Sequence, residues 1–135
     1  MDLLKALNIS ASGLKAQGTR LRVIAENLAN AESTAQRPGG EPYRRRVVTF
    51  SNVLDRELGV KKVQVGDIVP DQSDFRHRFE TGHPSADDKG YVLTPNVNTL
   101  LEVADMREAQ RSYEANLKAI QSSRTMLQQT IDILR

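Results

Sequence analysis

The chain has 135 residues, which suits one domain, and a formal net charge of +2 from 19 Lys and Arg against 17 Asp and Glu. It has no Cys, so disulfides, thiolate metal sites and cysteine nucleophiles are excluded. The small net charge does not by itself indicate nucleic-acid binding. Aromatic residues make up only 4% of the chain. We therefore expect the buried apolar surface to lie on aliphatic helix faces rather than around large aromatic side chains.

The N-terminal segment, MDLLKALNISASGLKAQ, has no basic region ahead of an uninterrupted apolar run. No segment approaches the roughly 18 consecutive apolar residues that a membrane-spanning helix needs. We therefore expect neither a cleaved secretory signal peptide nor a membrane span.

An apolar heptad repeat predicts a first helix from Leu3 to Ala31, with Asp2 as its cap. The repeat consists of Leu7, Leu14, Leu21 and Leu28, with Leu4, Ala11, Gly18 and Ala25 three positions ahead of each. This spacing places one apolar stripe along a helix, which another helix must cover. Gly13 and Gly18 each cost about 1 kcal/mol relative to Ala, so we expect this helix to be marginal alone. The small residues of the second row predict close approach of a partner helix.

Residues 32–95 combine loop chemistry with short strand patterns. The stretch AESTAQRPGGEPYRRR is rich in Pro, Gly and charge. β-branched or alternating residues then predict short strands at 46–50, 63–65 and 75–79. We interpret the whole segment as an extended, partly β connector with little core of its own.

A second heptad repeat predicts a helix from near Asn98 to Arg135, in which there is no Gly or Pro. Its stripe consists of Met106, Tyr113, Ile120, Leu127 and Leu134, accompanied by Val103, Leu117 and Ile131. Thr99 and Glu102 match a capping box, and Asn98 is an alternative cap. Ala119, Met126 and Ile133 form another seven-spaced row on a second face of this helix, and Ile9 and Val23 lie off the first helix's stripe. For the C-terminal row we favour contact with a neighbouring molecule. For Ile9 and Val23, scattered surface hydrophobes are an equal alternative.

These patterns predict a mainly α fold in which long N- and C-terminal helices pair as a coiled coil. The expected organisation is an N-terminal helix over 1–31, a connector over 32–95 and a C-terminal helix over 96–135. Apolar stripes at both ends of a small chain indicate pairing of the termini with each other or with neighbouring copies. Such a protein builds a structure rather than catalysing a reaction.

Two short motifs make the resemblance to a known family specific. The segment from Ser12 to Ala31, with Asn27, Ala29 and Asn30 followed by Ser33-Thr34, resembles the N-terminal signature of bacterial flagellar axial proteins. The segment Arg111–Asn116 resembles the C-terminal motif of that family, which comprises rod, hook and hook-associated subunits. The short length, the segment 42–46 and the run from 82 to 98 resemble those of its proximal rod subunits. The similarity covers essentially the whole chain.

The resemblance implies a structural subunit of the basal-body rod, which spans the periplasm and transmits torque from motor to hook. It implies export by the flagellar type III apparatus without a cleaved signal. It also implies assembly with copies of itself, other rod subunits and basal-body proteins, with terminal helices forming the inner layer of a tube. No enzyme activity, cofactor, nucleic acid or membrane span is implied. The expected helix-packing and assembly residues are Leu7, Leu14, Leu21, Leu28, Asn27, Asn30, Met106, Tyr113, Asn116, Leu117, Ile120, Leu127, Ile131 and Leu134.

Asn27 and Asn30 admit two interpretations. Asn favours helix ends, whereas a polar residue between helices can fix their register or bridge to a neighbouring subunit. We favour the register role, because two Asn one turn apart exceed what termination requires.

Other candidate chemistry is weaker. The run Arg44-Arg45-Arg46 with Lys61-Lys62 fits a solvated loop or subunit interface better than a phosphate site. His83 with Asp87 and Asp88 is a poor metal site.

The competing function is a soluble coiled-coil regulator or nucleic-acid-binding dimer, which would require basic residues gathered on one helix. Here they fall largely in loops and are mixed with acids.

Overall fold

Two long helices and two β-hairpins make up residues 2–135, the part of the chain that this computed structural model describes. The elements are α1 Leu3–Ala29, β1 Arg46–Asp55, β2 Val60–Pro70, β3 Arg76–Phe79, β4 Tyr91–Thr94 and α2 Thr99–Ile133. The predicted mainly helical fold, with its two terminal helices packed together, is confirmed. Neither helix is long and apolar enough to cross a membrane, judged over the same residues.

The chain forms two compact units, and each takes segments from both helices and from the connector. The helix–hairpin unit comprises Met1–Leu21, Val48–Asp67 and Arg107–Arg135. The core unit comprises Arg22–Val47 and Ile68–Met106. Each unit is described separately below.

Polar side chains mark the helix boundaries. The Asp2 carboxylate accepts a hydrogen bond from the Leu4 backbone N–H at 3.1 Å, so the predicted cap of α1 is confirmed. At the start of α2, Asn98 Oδ1 accepts hydrogen bonds from the backbone N–H groups of Leu100 at 3.1 Å and Leu101 at 3.4 Å. Asn98 is therefore the cap, and the capping box of Thr99 with Glu102 was the wrong alternative, because the Glu102 side chain turns into the core unit.

The core unit buries residues from the connector as well as from the helices. Val23 of α1 is 1% exposed, and Val92 of β4 and Val97 are fully buried. Val92 lies in the predicted connector, whereas Val97 lies in the predicted C-terminal segment, so a connector with little core of its own stays a prediction. For Val23, both alternatives, an interface and a scattered surface hydrophobe, were wrong, because its side chain is buried within the chain. A single periodic stripe does not identify Val23, because this part of α1 is covered on more than one side.

The β3–β4 hairpin contains the strand that the sequence patterns missed. It is antiparallel, with Arg76 opposite Thr94 and Phe79 opposite Tyr91. Gly90, just before β4, has a φ of +86°, a left-handed conformation that residues with a Cβ rarely adopt. An added Cβ there would also lie 2.5 Å from Thr81 Cγ2. Gly90 therefore allows the chain to turn into β4.

The β1–β2 hairpin of about ten residues per strand is longer than the short strands predicted at 46–50 and 63–65. Its turn is held by Asp55, whose carboxylate accepts hydrogen bonds from Leu58 N–H at 3.2 Å and from the Lys62 ammonium at 2.5 Å. Several large apolar side chains nevertheless remain exposed: Phe50, Val53, Leu54, Val63 and Val69. A two-stranded hairpin is marginal in water, so this one depends on neighbouring surfaces for support.

The helices run antiparallel within the helix–hairpin unit. Gly13 lies opposite Asn116 and Gly18 opposite Tyr113, while Arg20 forms an ion pair with Glu108 at 3.6 Å. A Cβ at Gly13 would lie only 2.9 Å from the Asn116 amide atoms. Of the two helix glycines, Gly13 therefore lies closer to α2 than Gly18 does, whereas Ala11 and Ala25, two of the predicted approach positions, are exposed.

We expect Gly18→Ala to raise the helicity and thermal midpoint of the purified chain, because it adds helix propensity worth about 1 kcal/mol. The new methyl group would sit 3.9 Å from the Tyr113 ring, an ordinary contact. Gly13→Ala should raise the helicity and thermal midpoint much less, because the Asn116 amide must move and give up its 3.0 Å hydrogen bond to the Ser112 carbonyl. Circular dichroism measures both changes.

The double variant Gly13→Ala/Asn116→Ala, compared with Asn116→Ala alone, is the control. Relative to Asn116→Ala, the double variant should show the full rise in helicity and thermal midpoint that the added methyl group provides. Equal gains for Gly13→Ala and Gly18→Ala in the wild-type background would contradict this account.

Candidate functional site

The core unit contains a hydrogen-bonded group of polar side chains, which we call the polar junction: Asn27, Tyr43, Arg45, Asp71 and Glu102. Asn27 and Glu102 are each 1% exposed. Buried polar groups are costly unless they are hydrogen-bonded. The arrangement of their partners therefore determines which conformations this unit can adopt.

Asn27 uses both ends of its side-chain amide. Oδ1 accepts hydrogen bonds from the Tyr43 hydroxyl at 2.8 Å and the Arg46 backbone N–H at 3.0 Å. Nδ2 donates to the Arg46 carbonyl at 2.9 Å and to Glu102 Oε2 at 3.2 Å. One amide thus joins α1, the start of β1 and α2.

Arg45 carries the positive charge that faces the buried Glu102 carboxylate. Its Nε donates to Glu102 Oε1, and its Nη1 lies 3.2 Å from Asp71 Oδ2. Asp105 lies 3.7 Å from its Nη2. The Arg45 backbone is also fixed, because its N–H donates to Asn96 Oδ1 at 2.8 Å.

Burial and neighbouring charges perturb the titration of this group. Burial would lower the pKa of Arg45, but its hydrogen bonds and charge interactions with Glu102 and Asp71 outweigh this effect and raise it. The pKa of Tyr43 is raised, mainly by burial and then by the charge of Glu26. The pKa of Asp71 is lowered, first by the hydrogen bonds from Ser73 and then by Arg45. All three shifts favour the protonation states present at neutral pH.

The other arginines of the run are also used within the chain. Arg44 donates to the carbonyls of Asp71 at 2.9 Å and Ser73 at 3.1 Å, and its guanidinium lies 4.2 Å from the centroid of the Phe75 ring. Arg46 pairs with Glu26 at 3.4 Å. This run is therefore an internal connection of the core unit.

The predicted site residues fall into three environments. Asn27 is buried, and Asn30 is half-buried, donating to the Glu26 carbonyl at 2.8 Å beyond the end of α1. The half-buried apolar and packing positions are Leu7, Leu14, Leu21, Leu28, Met106, Tyr113, Asn116 and Ile120. The exposed positions are Leu117, Leu127, Ile131 and Leu134.

Sequence reasoning missed most of the polar junction. Its local sequence predicts that Glu102 is a capping residue, and the segment containing Arg45 predicts a loop or an interface. No spacing relates residue 45 to residue 102, so the pair had no local signal.

His83, the histidine of the weak metal hypothesis, makes hydrogen-bond contacts within the chain instead. His83 Nδ1 accepts a hydrogen bond from the Ser85 backbone N–H at 3.0 Å, and its other ring nitrogen lies 3.5 Å from the Thr34 hydroxyl. Among residues 2–135, no group of three His, Asp or Glu side chains is placed to hold a metal ion.

Comparison with known proteins matches both ends of the chain and its full length. Residues 7–35 match the family of flagella basal body rod proteins, and residues 88–133 match the C-terminal family of flagellar basal body rod FlgEFG proteins. The chain is 51% identical to the flagellar basal-body rod protein FlgC of Agrobacterium fabrum over 100% of its own length and 98% of the relative. It is 38% identical to FlgC of Escherichia coli, with 98% of each chain covered. It is 37% identical to FlgC of Bacillus subtilis, with 98% of this chain and 99% of the relative covered.

We expect Asn27→Ala to lower the free energy of unfolding by about 2–4 kcal/mol, because it leaves the Tyr43 hydroxyl and two Arg46 backbone groups without partners. Asn30→Ala is the matched control and should cost about 1 kcal/mol or less, since it loses one bond at a helix end. Urea unfolding of the purified variants measures both. Equal costs would refute the distinction between the two asparagines.

Acidification should lower the thermal midpoint of the wild-type chain more than it lowers that of the Asp71→Asn variant. The folded-state pKa of Asp71 lies below its ordinary value of 3.8, so its contribution is present above that value and is lost as pH falls through the folded pKa. The variant lacks this titration. Thermal midpoints from pH 6 to pH 2 measure the difference, and parallel curves for the two proteins would contradict it.

Proposed function

Because the chain belongs to the family of flagellar basal-body rod proteins that includes FlgC, we propose that it is exported by the flagellar type III apparatus and assembles through the exposed apolar faces of its helices. Membership makes it a structural, non-enzymatic subunit of the basal-body rod, which assembles with rod subunits. In the finer proposal it belongs to the proximal rod, contacts further basal-body proteins and transmits torque from motor to hook across the periplasm.

The observation that carries the assembly proposal is the exposed apolar surface on the distal part of α2. Met126 is 51% exposed, Ile131 44%, Ile133 84% and Leu134 82%. These residues lie on two faces of one helix, so a single neighbour would not cover them all. A subunit surrounded by others in a tube can bury both faces.

The predicted site residues would then have two different tasks. The half-buried positions, such as Leu14, Tyr113 and Asn116, pack the helices of one subunit. The exposed positions, Leu117, Leu127, Ile131 and Leu134, contact neighbouring subunits. Asn27 would act on register within the subunit, because its hydrogen bonds are made there.

Export in an unfolded state fits the distribution of stabilising contacts. The distal part of α2 has no side chain classed as buried after Ala109 among the described residues. Gly13 and Gly18 reduce the intrinsic stability of α1. A chain of this kind unfolds at low cost, and docking to neighbours then supplies the missing stability.

Deleting the gene should abolish hooks and swimming, and a plasmid copy should restore both, because outer structures cannot be built without the rod. In a strain with an inactive type III apparatus, the protein should stay in the cell fraction. Immunoblots of cell, secreted and purified hook–basal-body fractions measure this, with a cytosolic marker as the leakage control. Normal hooks without the gene, or secretion without the apparatus, would disprove the corresponding part of the proposal.

Ile133→Lys should strongly reduce incorporation into rods while leaving the monomer folded, since its side chain is already 84% exposed. Gln128→Lys, an exposed position about one turn earlier and off this face, is the matched control and should assemble normally. Swimming assays and rod fractions measure assembly, and circular dichroism checks the fold. Normal rods with Ile133→Lys would remove this face from the assembly surface.

A further inference from the structure

The helix–hairpin unit contains an open groove between α1 and the β1–β2 hairpin, with a volume of about 500 Å³. One wall is formed by small residues of α1: Ser12, Ala16 and Thr19. The other wall includes Val53, Val63 and Val65 of the hairpin. Clefts of roughly 300–1,000 Å³ accommodate sizeable ligand groups, so several aliphatic side chains fit here.

Several polar groups that line the groove already have partners within the chain, while the exposed side chains of Lys15 and Gln64 also line it. The Ser12 hydroxyl donates to the Ile9 carbonyl at 2.7 Å, and the Thr19 hydroxyl donates to the Lys15 carbonyl at 3.3 Å. The Lys62 ammonium is paired with Asp55. An apolar segment could therefore cover the groove without leaving these groups unpaired.

A segment with complementary spacing lies on α2 of the same chain. Leu127, Ile131 and Leu134 continue the stripe through which Tyr113 and Asn116 face α1. At the observed antiparallel pairing, the start of α1 lies near about residue 126 of α2. The stripe therefore continues beyond the end of its intramolecular partner, and its three side chains remain exposed.

We infer that the last two turns of α2 from a second copy lie in this groove, an inference that rests on the proposed rod assembly. Leu127, Ile131 and Leu134 stand at positions i, i+4 and i+7, the spacing of helix-in-groove anchors. Ser12, Ala16 and Thr19 have the same spacing on α1. Large side chains on the docked helix would lie over Ser12 and Thr19, with the buried Ala16 between them at the floor of the groove, along a length of about 10 Å.

The contact is heterologous, because the groove and the distal stripe are different surfaces of one chain. A heterologous contact leaves one groove and one stripe free after every addition, so it produces open arrays or rings rather than closed two-fold dimers. This is the type of contact that a tubular assembly requires.

The test uses two full-length variants, each defective in one surface. Ile131→Lys disables the distal stripe, and Val63→Lys disables the groove; both residues are exposed, so the fold should survive. Each variant alone should self-associate at least about tenfold more weakly than wild type, because a charge replaces a buried aliphatic side chain. Thr125→Lys, exposed and on neither apolar face of this part of α2, should associate as wild type does.

Mixing the two variants provides the decisive measurement. An equimolar mixture retains one intact groove and one intact stripe, so analytical ultracentrifugation should detect heterodimers but no longer species. A mixture that stays monomeric, a wild-type chain that stays monomeric at millimolar concentration, or an effect of only one variant would overturn the inference.

Assembly in cells separates this inference from the proposed function. Normal rods containing Ile131→Lys or Val63→Lys would overturn the groove contact while leaving the rod role intact. Absence of the wild-type chain from rods would overturn both.

Discussion

The core unit depends on the contact between the Asn27 amide and the Glu102 carboxylate, supported by Arg45. A fully buried carboxylate is tolerated only with its charge and hydrogen-bond partners in place. A shift of α2 by one turn would move Glu102 by about 5 Å and separate it from both partners. Apolar stripes tolerate such shifts better, because large apolar residues recur every seven positions on both helices. The polar contact therefore specifies the alignment of the helices in this unit.

The two units serve different physical needs. The core unit buries Val23, Val92 and Val97, although Phe79, Leu100 and Leu101 remain exposed. Its run of three arginines is held by contacts within the chain. The helix–hairpin unit leaves valines of the hairpin and the distal residues of α2 exposed. Such exposed apolar area is unfavourable in a lone molecule and is typical of a surface that another molecule covers. A rod subunit needs both properties: a defined fold and an exposed surface that binds neighbouring subunits.

The helices could be predicted because their signals are local and repeated. The heptads and the absence of Gly and Pro after Pro95 identified both helices to within two residues of the observed ends. The family was also predictable, since the motifs around Asn27 and Arg111 occur near the two ends of the chain. The strands were less accessible: β4 has only four residues, and its partner β3 lies more than ten residues away.

The polar junction could not be predicted, because it depends on tertiary contacts between distant positions. Glu102 fits a capping motif locally, yet its side chain binds the Arg45 guanidinium and the buried Asn27 amide, and Asn98 supplies the cap instead. Val23 lies outside the heptad stripe but is covered in the folded chain. In both cases tertiary packing overrides a correct local pattern.

The unequal lengths of the paired helices have a consequence for growth. Because α2 extends past the start of α1, a subunit offers a protruding helix end in one direction and a recess elsewhere. A stack joined in this way has chemically distinct ends, so addition and loss of subunits need not proceed equally at both. Directional elongation can thus originate in a few residues by which one helix exceeds the other.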